Sequence, residues 1–280
     1  MTSLKLYNEV CKTMSTNMTY AYSTSFSMGI RLFEPAYRAP ICAIYGFVRI
    51  VDEIVDTFHH IDKAYYLETV KNEVYQAIEN RISINPILHA FQQVVHEYQI
   101  DHEYIDAFLH SMSMDIEKKN FSKEEYDIYI YGSAEVVGLM CLKVFVKGRS
   151  DAFEALKYGA RKLGSAFQKI NFLRDIGSDH SERGRFYFPG IHISSFNEQE
   201  KHNIEEEIRK EFEEAYEGIK GLPMGSRLGV YVAYRYYMQL LNRLTKVSAS
   251  NILKQRFRVS DTMKIYILVK SIIMHRFRFI

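Results

Sequence analysis

Apolar residues recur at steps of three and four along nearly the whole chain, the period of a helix that buries one face. This pattern predicts helices near residues 4–20, 36–57, 62–80, 86–98, 101–117, 123–147, 151–178, 200–220, 225–247 and 261–274. No segment shows the period-two alternation of a half-buried strand. The breaks fall at Pro35 and Pro40, at Asn85-Pro86, and in the stretches Gly148 to Asp151, Gly184 to Gly190 and Gly221 to Gly225. Nothing between residues 1 and 280 reads as a linker, so the expectation is a single all-α domain.

Two of these helices invert the usual pattern. Tyr45, Arg49, Asp52 and Asp56 follow at steps of 4, 3 and 4, and Gln168, Asn171, Asp175 and Asp179 at steps of 3, 4 and 4. At 3.6 residues per turn each set lies on one narrow face. The rest of the first segment is apolar, with Ile44, Phe47, Val48, Val51 and Val55. A surface helix carries an apolar stripe on a polar cylinder, whereas a polar stripe on an apolar cylinder implies a polar cavity inside the protein. Two carboxylates one turn apart cannot both stay ionised there without a compensating cation. One such pair alone is an ordinary solvated spacing. Two pairs, each preceded by polar residues on its own face, point to a hard ion such as Mg2+ bound by Asp52, Asp56, Asp175 and Asp179, and to a diphosphate that completes its coordination.

Composition narrows the rest. A hydrophobic fraction of 47% with five prolines and 14 glycines suits long helices and a sizeable core. The net charge of +2, from 36 basic and 34 acidic residues, gives no case for nucleic acid. Cys11, Cys42 and Cys141 form no metal or redox spacing and read as reduced core thiols of a cytoplasmic protein. The opening MTSLKLYNEVCK has no apolar run, so no signal peptide is expected. From Lys264 to Ile280 the chain is apolar but interrupted by Lys270, His275, Arg276 and Arg278. It is too short and too charged to span a bilayer, and is either a last packed helix or an amphipathic surface for peripheral membrane contact. In Tyr129 to Met140 the small residues Gly132, Ser133, Ala134 and Gly138 imply close approach of a ligand or another helix.

The chain resembles the squalene/phytoene synthase family, the head-to-head prenyl synthases. The resemblance runs from Ser23 to about Lys264. It rests on YSTSF (Tyr22 to Phe26), AIYGFVRIVDEIVD (Ala43 to Asp56), Asp115 of MSMD, YGSAEVVG (Tyr131 to Gly138), QKINFLRDIGSD (Gln168 to Asp179), RGRFYFP (Arg183 to Pro189), and RVS followed by Lys264. It implies an isoprenoid synthase fold with helices around a central cavity, in which the four aspartates hold prenyl diphosphates through Mg2+, or Mn2+ in its place. It also implies that Arg49, Arg174 and Arg258 contact diphosphate oxygens, with Tyr45, Gln168, Asn171 and Lys264 close by. Ser23 and Ser25 would add hydroxyl donors, Tyr129 and Tyr237 would line the reaction chamber, and Phe26, Tyr45 and Tyr129 would offer ring faces to a carbocation. Asp115 falls with the substrate-binding set.

Two departures from the family pattern stand out. The second motif commonly reads DVGED, and here Ser178 precedes Asp179. Glu135 stands where a small residue is common, and is expected to face away from an apolar tunnel. The form DEIVD resembles the phytoene synthase version, commonly DELVD. The expected reaction is therefore condensation of two geranylgeranyl diphosphates to phytoene in carotenoid biosynthesis, without NADPH, with a carotenoid desaturase as candidate downstream partner. The other readings are a farnesyl diphosphate-using dehydrosqualene or squalene synthase, a retired homologue acting as a binding or assembly module, and a terpene cyclase acting on one prenyl diphosphate.

Overall fold

A computed structural model describes residues 2–118 and 120–277, with the backbone alone at Ser25. Thirteen α-helices are formed among the described residues: α1 Ser3–Tyr22, α2 Thr24–Arg31, α3 Pro35–Asp56, α4 Lys63–Asn80, α5 Pro86–Tyr98, α6 His102–Glu117, α7 Lys123–Ile130, α8 Val136–Phe145, α9 Ser150–Arg183, α10 Glu198–Gly221, α11 Met224–Leu244, α12 Ala249–Ile252 and α13 Asp261–Arg276. The all-α expectation holds. The β pairing among the described residues is an isolated parallel bridge between Asn120 and Phe186.

Local chemistry fixes many of the ends. Asn85 accepts from the backbone N–H groups of Ile87 and Leu88 while Pro86 opens α5, where its missing N–H costs nothing. Ser122 with Glu125, and Asn197 with Glu200, form reciprocal capping boxes at α7 and α10. Gly184, at φ 64°, closes α9 in the left-handed conformation that glycine adopts without strain. That helix runs five residues beyond its expected end at 178, so both acidic residues of the second stripe are helical. Pro40 does not break the chain as expected. Pro35 opens α3, and Pro40 sits inside it, removing one backbone bond but not the helix.

Between α7 and α8 the helix opens into a π-turn, Tyr131–Glu135, at the small-residue segment. Gly132 is needed there, since a Cβ would come within 2.3 Å of the Ala107 carbonyl oxygen on α6. The stretch Lys123–Phe145 is long and apolar enough to cross a membrane, but half of it is buried inside this fold.

Two hydrophobic clusters form the core. In one, Phe47 of α3 stacks on Phe91 of α5 at 4.2 Å between centroids and meets Phe108 of α6 edge-on. In the other, Phe172 of α9 stacks on Tyr187 at 3.9 Å, and Phe212 of α10 meets Tyr234 of α11. Residues of α2, α3, α8, α9, α10 and α11 leave a chamber of about 540 Å3 between them.

Candidate active site

The two polar stripes meet one end of this chamber, lining it through Tyr45, Arg49, Gln168, Asn171 and Arg174, whereas Asp52, Asp56, Asp175 and Asp179 lie outside the lining. On α3, Arg49 donates to Asp52 at 2.7 Å through Nη1 and to Glu53 at 2.7 Å through Nε, and its guanidinium lies 4.2 Å from the centroid of the Tyr22 ring. On α9, Arg174 grips the neighbouring Asp175 with two bonds, 2.8 and 2.5 Å. Arg256 reaches the same carboxylate from the segment after α12, at 2.8 and 3.1 Å. One turn on, Asp179 accepts from Arg183 at 2.7 Å.

The loop after α9 joins the stripes. Arg185 donates to Asp56 at 2.9 Å and lies 3.8 Å from Asp115, while Arg183 lies 3.6 Å from Asp56. Asp115, at the end of α6, also accepts from the hydroxyls of Tyr129 at 2.6 Å and Tyr187 at 2.9 Å. An aromatic floor of Phe121, Tyr129, Phe172 and Tyr187 packs directly under these carboxylates. Six carboxylates (Asp52, Glu53, Asp56, Asp115, Asp175, Asp179) thus share five guanidinium groups (Arg49, Arg174, Arg183, Arg185, Arg256).

Burial dominates the electrostatics. It pushes the carboxyls of Asp52, Asp115 and Asp179 up to about 6, with neighbouring carboxylates adding to the shift and their arginines opposing it. The same cause raises the Tyr45 hydroxyl to about 12 and those of Tyr129 and Tyr187 well above the ordinary value.

Eight residues expected at the site line the chamber: Ser23, Phe26, Tyr45, Arg49, Gln168, Asn171, Arg174 and Tyr237. Phe26 stacks on Tyr45 at 5.3 Å, Tyr237 stacks on Phe167 at 4.0 Å and donates to Asn171, and Ser23 spends its hydroxyl capping α2. The Ser25 side chain lies outside the described residues. Tyr129 is not part of the chamber lining but sits under the acidic cluster with Asp115. Arg258 and Lys264 are not brought to the chamber either. Arg258 is exposed and its carbonyl is held by Arg243, whereas Lys264 pairs with Asp261 one helical turn back. Arg256, two residues earlier, is the arginine of this segment that reaches the acidic cluster, at Asp175. Glu135 does face away from the chamber, paired with Arg161 at 2.6 Å.

Arg183, Arg185, Tyr187 and Arg256 were not singled out by sequence reasoning. A signal for three of them existed, because RGRFYFP places Arg183 four residues after Asp179 and two further polar groups just beyond the helix end. Ser178, which replaces an acid common in the family, turns its hydroxyl onto the Asp175 carbonyl.

A family model described as squalene/phytoene synthase matches residues 19–262. The chain belongs to the squalene/phytoene synthase family. It is 31% identical over 182 residues to the 4,4'-diapophytoene synthase of Staphylococcus haemolyticus (strain JCSC1435), covering 63% of this chain and 61% of that protein. It is 28% identical over 271 residues to the chloroplastic phytoene synthase 1 of Solanum lycopersicum, covering 88% and 64%. The chain therefore spans a little over three fifths of the length of these two relatives. A dehydrosqualene synthase solved in complex with a ligand superposes with a TM-score of 0.82 at 19% identity, over 96% of this chain and 98% of that one, which shows a common fold.

Asp52, Asp56, Asp175 and Asp179 could hold a hard divalent ion at the acidic end. All its donors are carboxylate oxygens, and among the described residues no three His, Cys, Asp or Glu side chains gather tightly enough to cage a metal. Mg2+ suits such a site, since it takes one or two carboxylates and fills its octahedron with water and phosphate oxygens.

Proposed function

We propose that this protein is a Mg2+-dependent phytoene synthase. In this reading two geranylgeranyl diphosphates join through C–C bond formation to a cyclopropylcarbinyl diphosphate, releasing diphosphate and a proton. Ionisation of that intermediate, rearrangement and loss of a second proton give phytoene and a second diphosphate. The observation that carries the reading is the chamber's polarity along α9. Its lining residues run from Arg174 to Leu156, 18 residues or about 27 Å at 1.5 Å per residue. The polar residues Arg174, Asn171 and Gln168 occupy one end, and Phe167, Leu163 and Leu156 line the rest. A C20 prenyl chain has 15 main-chain bonds and extends about 19 Å, against about 14 Å for the 11 bonds of a C15 chain, taking about 1.25 Å of advance per bond of about 1.5 Å. The longer chain, with its diphosphate at Arg174, uses the available length better.

The residues then have distinct tasks. Arg49 and Arg174 hold diphosphate oxygens with planar, permanently charged forks. Bound Mg2+, held by Asp52 and Asp56 and by Asp175 and Asp179, would stabilise the negative charge that develops on the departing diphosphate. Burial pushes the Tyr45 hydroxyl up to about 12, so it stays protonated at neutral pH and is available as a hydrogen-bond donor. The stacked Phe26 and Tyr45 present ring faces to a nearby cation, and the apolar lining beyond Gln168 keeps water from capturing it.

The test is incubation of the protein and Mg2+ with geranylgeranyl or farnesyl diphosphate, with and without NADPH, followed by mass analysis of the apolar extract. A C40 product from the C20 substrate without NADPH is expected. A C30 product from farnesyl diphosphate alone would replace the reading with a dehydrosqualene synthase, the activity named for the solved structure above. No product from either substrate would point to the retired homologue.

A further inference from the structure

The last helix presents its apolar side to solvent. Across the 16 residues of α13 only Ile267 and Ser271 are buried, whereas Ile265, Tyr266, Val269, Ile272 and Ile273 are each 41 to 59% exposed. At about 100° per residue, Ile272, Ile265, Arg276, Val269, Thr262, Ile273, Tyr266 and Lys270 occupy one arc of about 160°. That arc is the exposed one. A helix lying on a protein normally turns its polar side outward.

We infer that this face docks on an anionic lipid surface. Charge decides among the occupants of an apolar face. Beyond Asp261, which pairs with Lys264 at 3.0 Å, the remaining sequence has no acidic residue and carries Lys270, Arg276 and Arg278. A second copy docked about a two-fold axis would offer Lys270 and Arg276 no acidic residue within the arc. A membrane with anionic headgroups accepts the apolar residues and both cations of the arc together. Tyr266, with Lys270 5.7 Å from its ring centroid, has the apolar body and polar tip suited to the headgroup level. Position supplies a use. α13 packs on α11, where the Tyr231 hydroxyl lies 3.6 Å from the Met274 sulfur, and α11 lines the chamber through Gly229, Val230, Ala233 and Tyr237. The lipid face is thus one helix away from the cavity assigned to an apolar product. The docking itself does not depend on which prenyl diphosphate the chamber takes.

The full chain is sedimented with vesicles of phosphatidylcholine alone or mixed with phosphatidylglycerol. Two cations at an anionic surface predict partitioning about thirty-fold stronger on the mixed vesicles, weakening as salt rises. Val269→Asp with Ile273→Asp should reduce partitioning at least tenfold with the circular dichroism spectrum unchanged, because both side chains are about half exposed. Lys270→Gln with Arg276→Gln leaves every apolar side chain of the arc in place and should remove the preference for the anionic vesicles. Wild-type protein that stays in the supernatant, or that binds neutral and anionic vesicles equally, overturns the inference. So does light scattering that shows a dimer broken by the aspartate pair without any vesicle binding.

Discussion

Replacing Asp179 by Asn should make the metal-free protein more stable while destroying its activity. The Asp179 carboxyl is nearly buried, and its ordinary value of 3.8 is pushed up to about 6 by burial, with Asp175 and Asp56 adding to the shift against Arg183. A carboxyl that holds its proton more tightly in the folded state favours folding at low pH, and that contribution is lost as pH rises through the folded value. Ionisation therefore costs the fold about 0.5 kcal/mol at pH 4 and about 3 kcal/mol above pH 7. Asn has the same shape and no charge. It still accepts from Arg183, whose pull on the charged form is already contained in the net shift. The gain near pH 7.5 is therefore about 3 kcal/mol, or about 5 °C in Tm for a chain of this size. Thermal unfolding in EDTA at pH 7.5 and pH 4 measures it. The gain should be full at the first pH and fall to about 0.5 kcal/mol at the second. A variant less stable than the parent at pH 7.5, or a gain equal at both, would refute the account of a site strained by its own charge.

Two further perturbations test the architecture. At Gly177, between the acids of the second stripe, a Cβ would lie 2.1 Å from the Leu253 carbonyl oxygen and 2.7 Å from its carbon. Gly177→Ala must push α9 away from the segment that carries Arg256, so we expect a loss of about 1–3 kcal/mol in stability and at least a tenfold drop in kcat/KM; unchanged thermal melts would refute the contact. Chelation by EDTA should abolish turnover and Mg2+ should restore it, and Asp52→Asn or Asp175→Asn should lower turnover by orders of magnitude with little loss of fold, so persistent activity in chelator or in either variant would remove the metal assignment.

The long helices were legible because their apolar period extends over many turns, and the acidic stripes because polar residues on an apolar cylinder have few explanations. α2 was not legible. Its eight residues hold too little periodicity, and it is set in place by the Ser23 cap and by the approach of Gly29 to the Gly229 carbonyl on α11. The arginines at the end of α9 and in the loop after it were quoted as part of a motif, but only folding brings Arg185 across 129 positions to Asp56. Periodicity places a residue on a face of its own helix and says nothing of which loop crosses it. For the same reason Arg256 and Arg258, two residues apart outside any helix, could not be told apart, and Tyr129 could be assigned to the chamber when it lies beneath Asp115.

The π-turn at Tyr131–Glu135 makes one continuous rod serve two compartments. N-terminal to it, Tyr126 and Tyr129 face the aromatic floor; C-terminal to it, Val137, Gly138 and Cys141 face the chamber. A π-turn accommodates one residue more than an α-turn, an offset of about 100° between the two halves. Substitutions in one half can therefore reshape the tunnel wall without disturbing the supports of Asp115. A one-residue deletion in the turn would instead rotate one half relative to the other, moving Glu135 and its neighbours around the axis and misaligning both compartments at once.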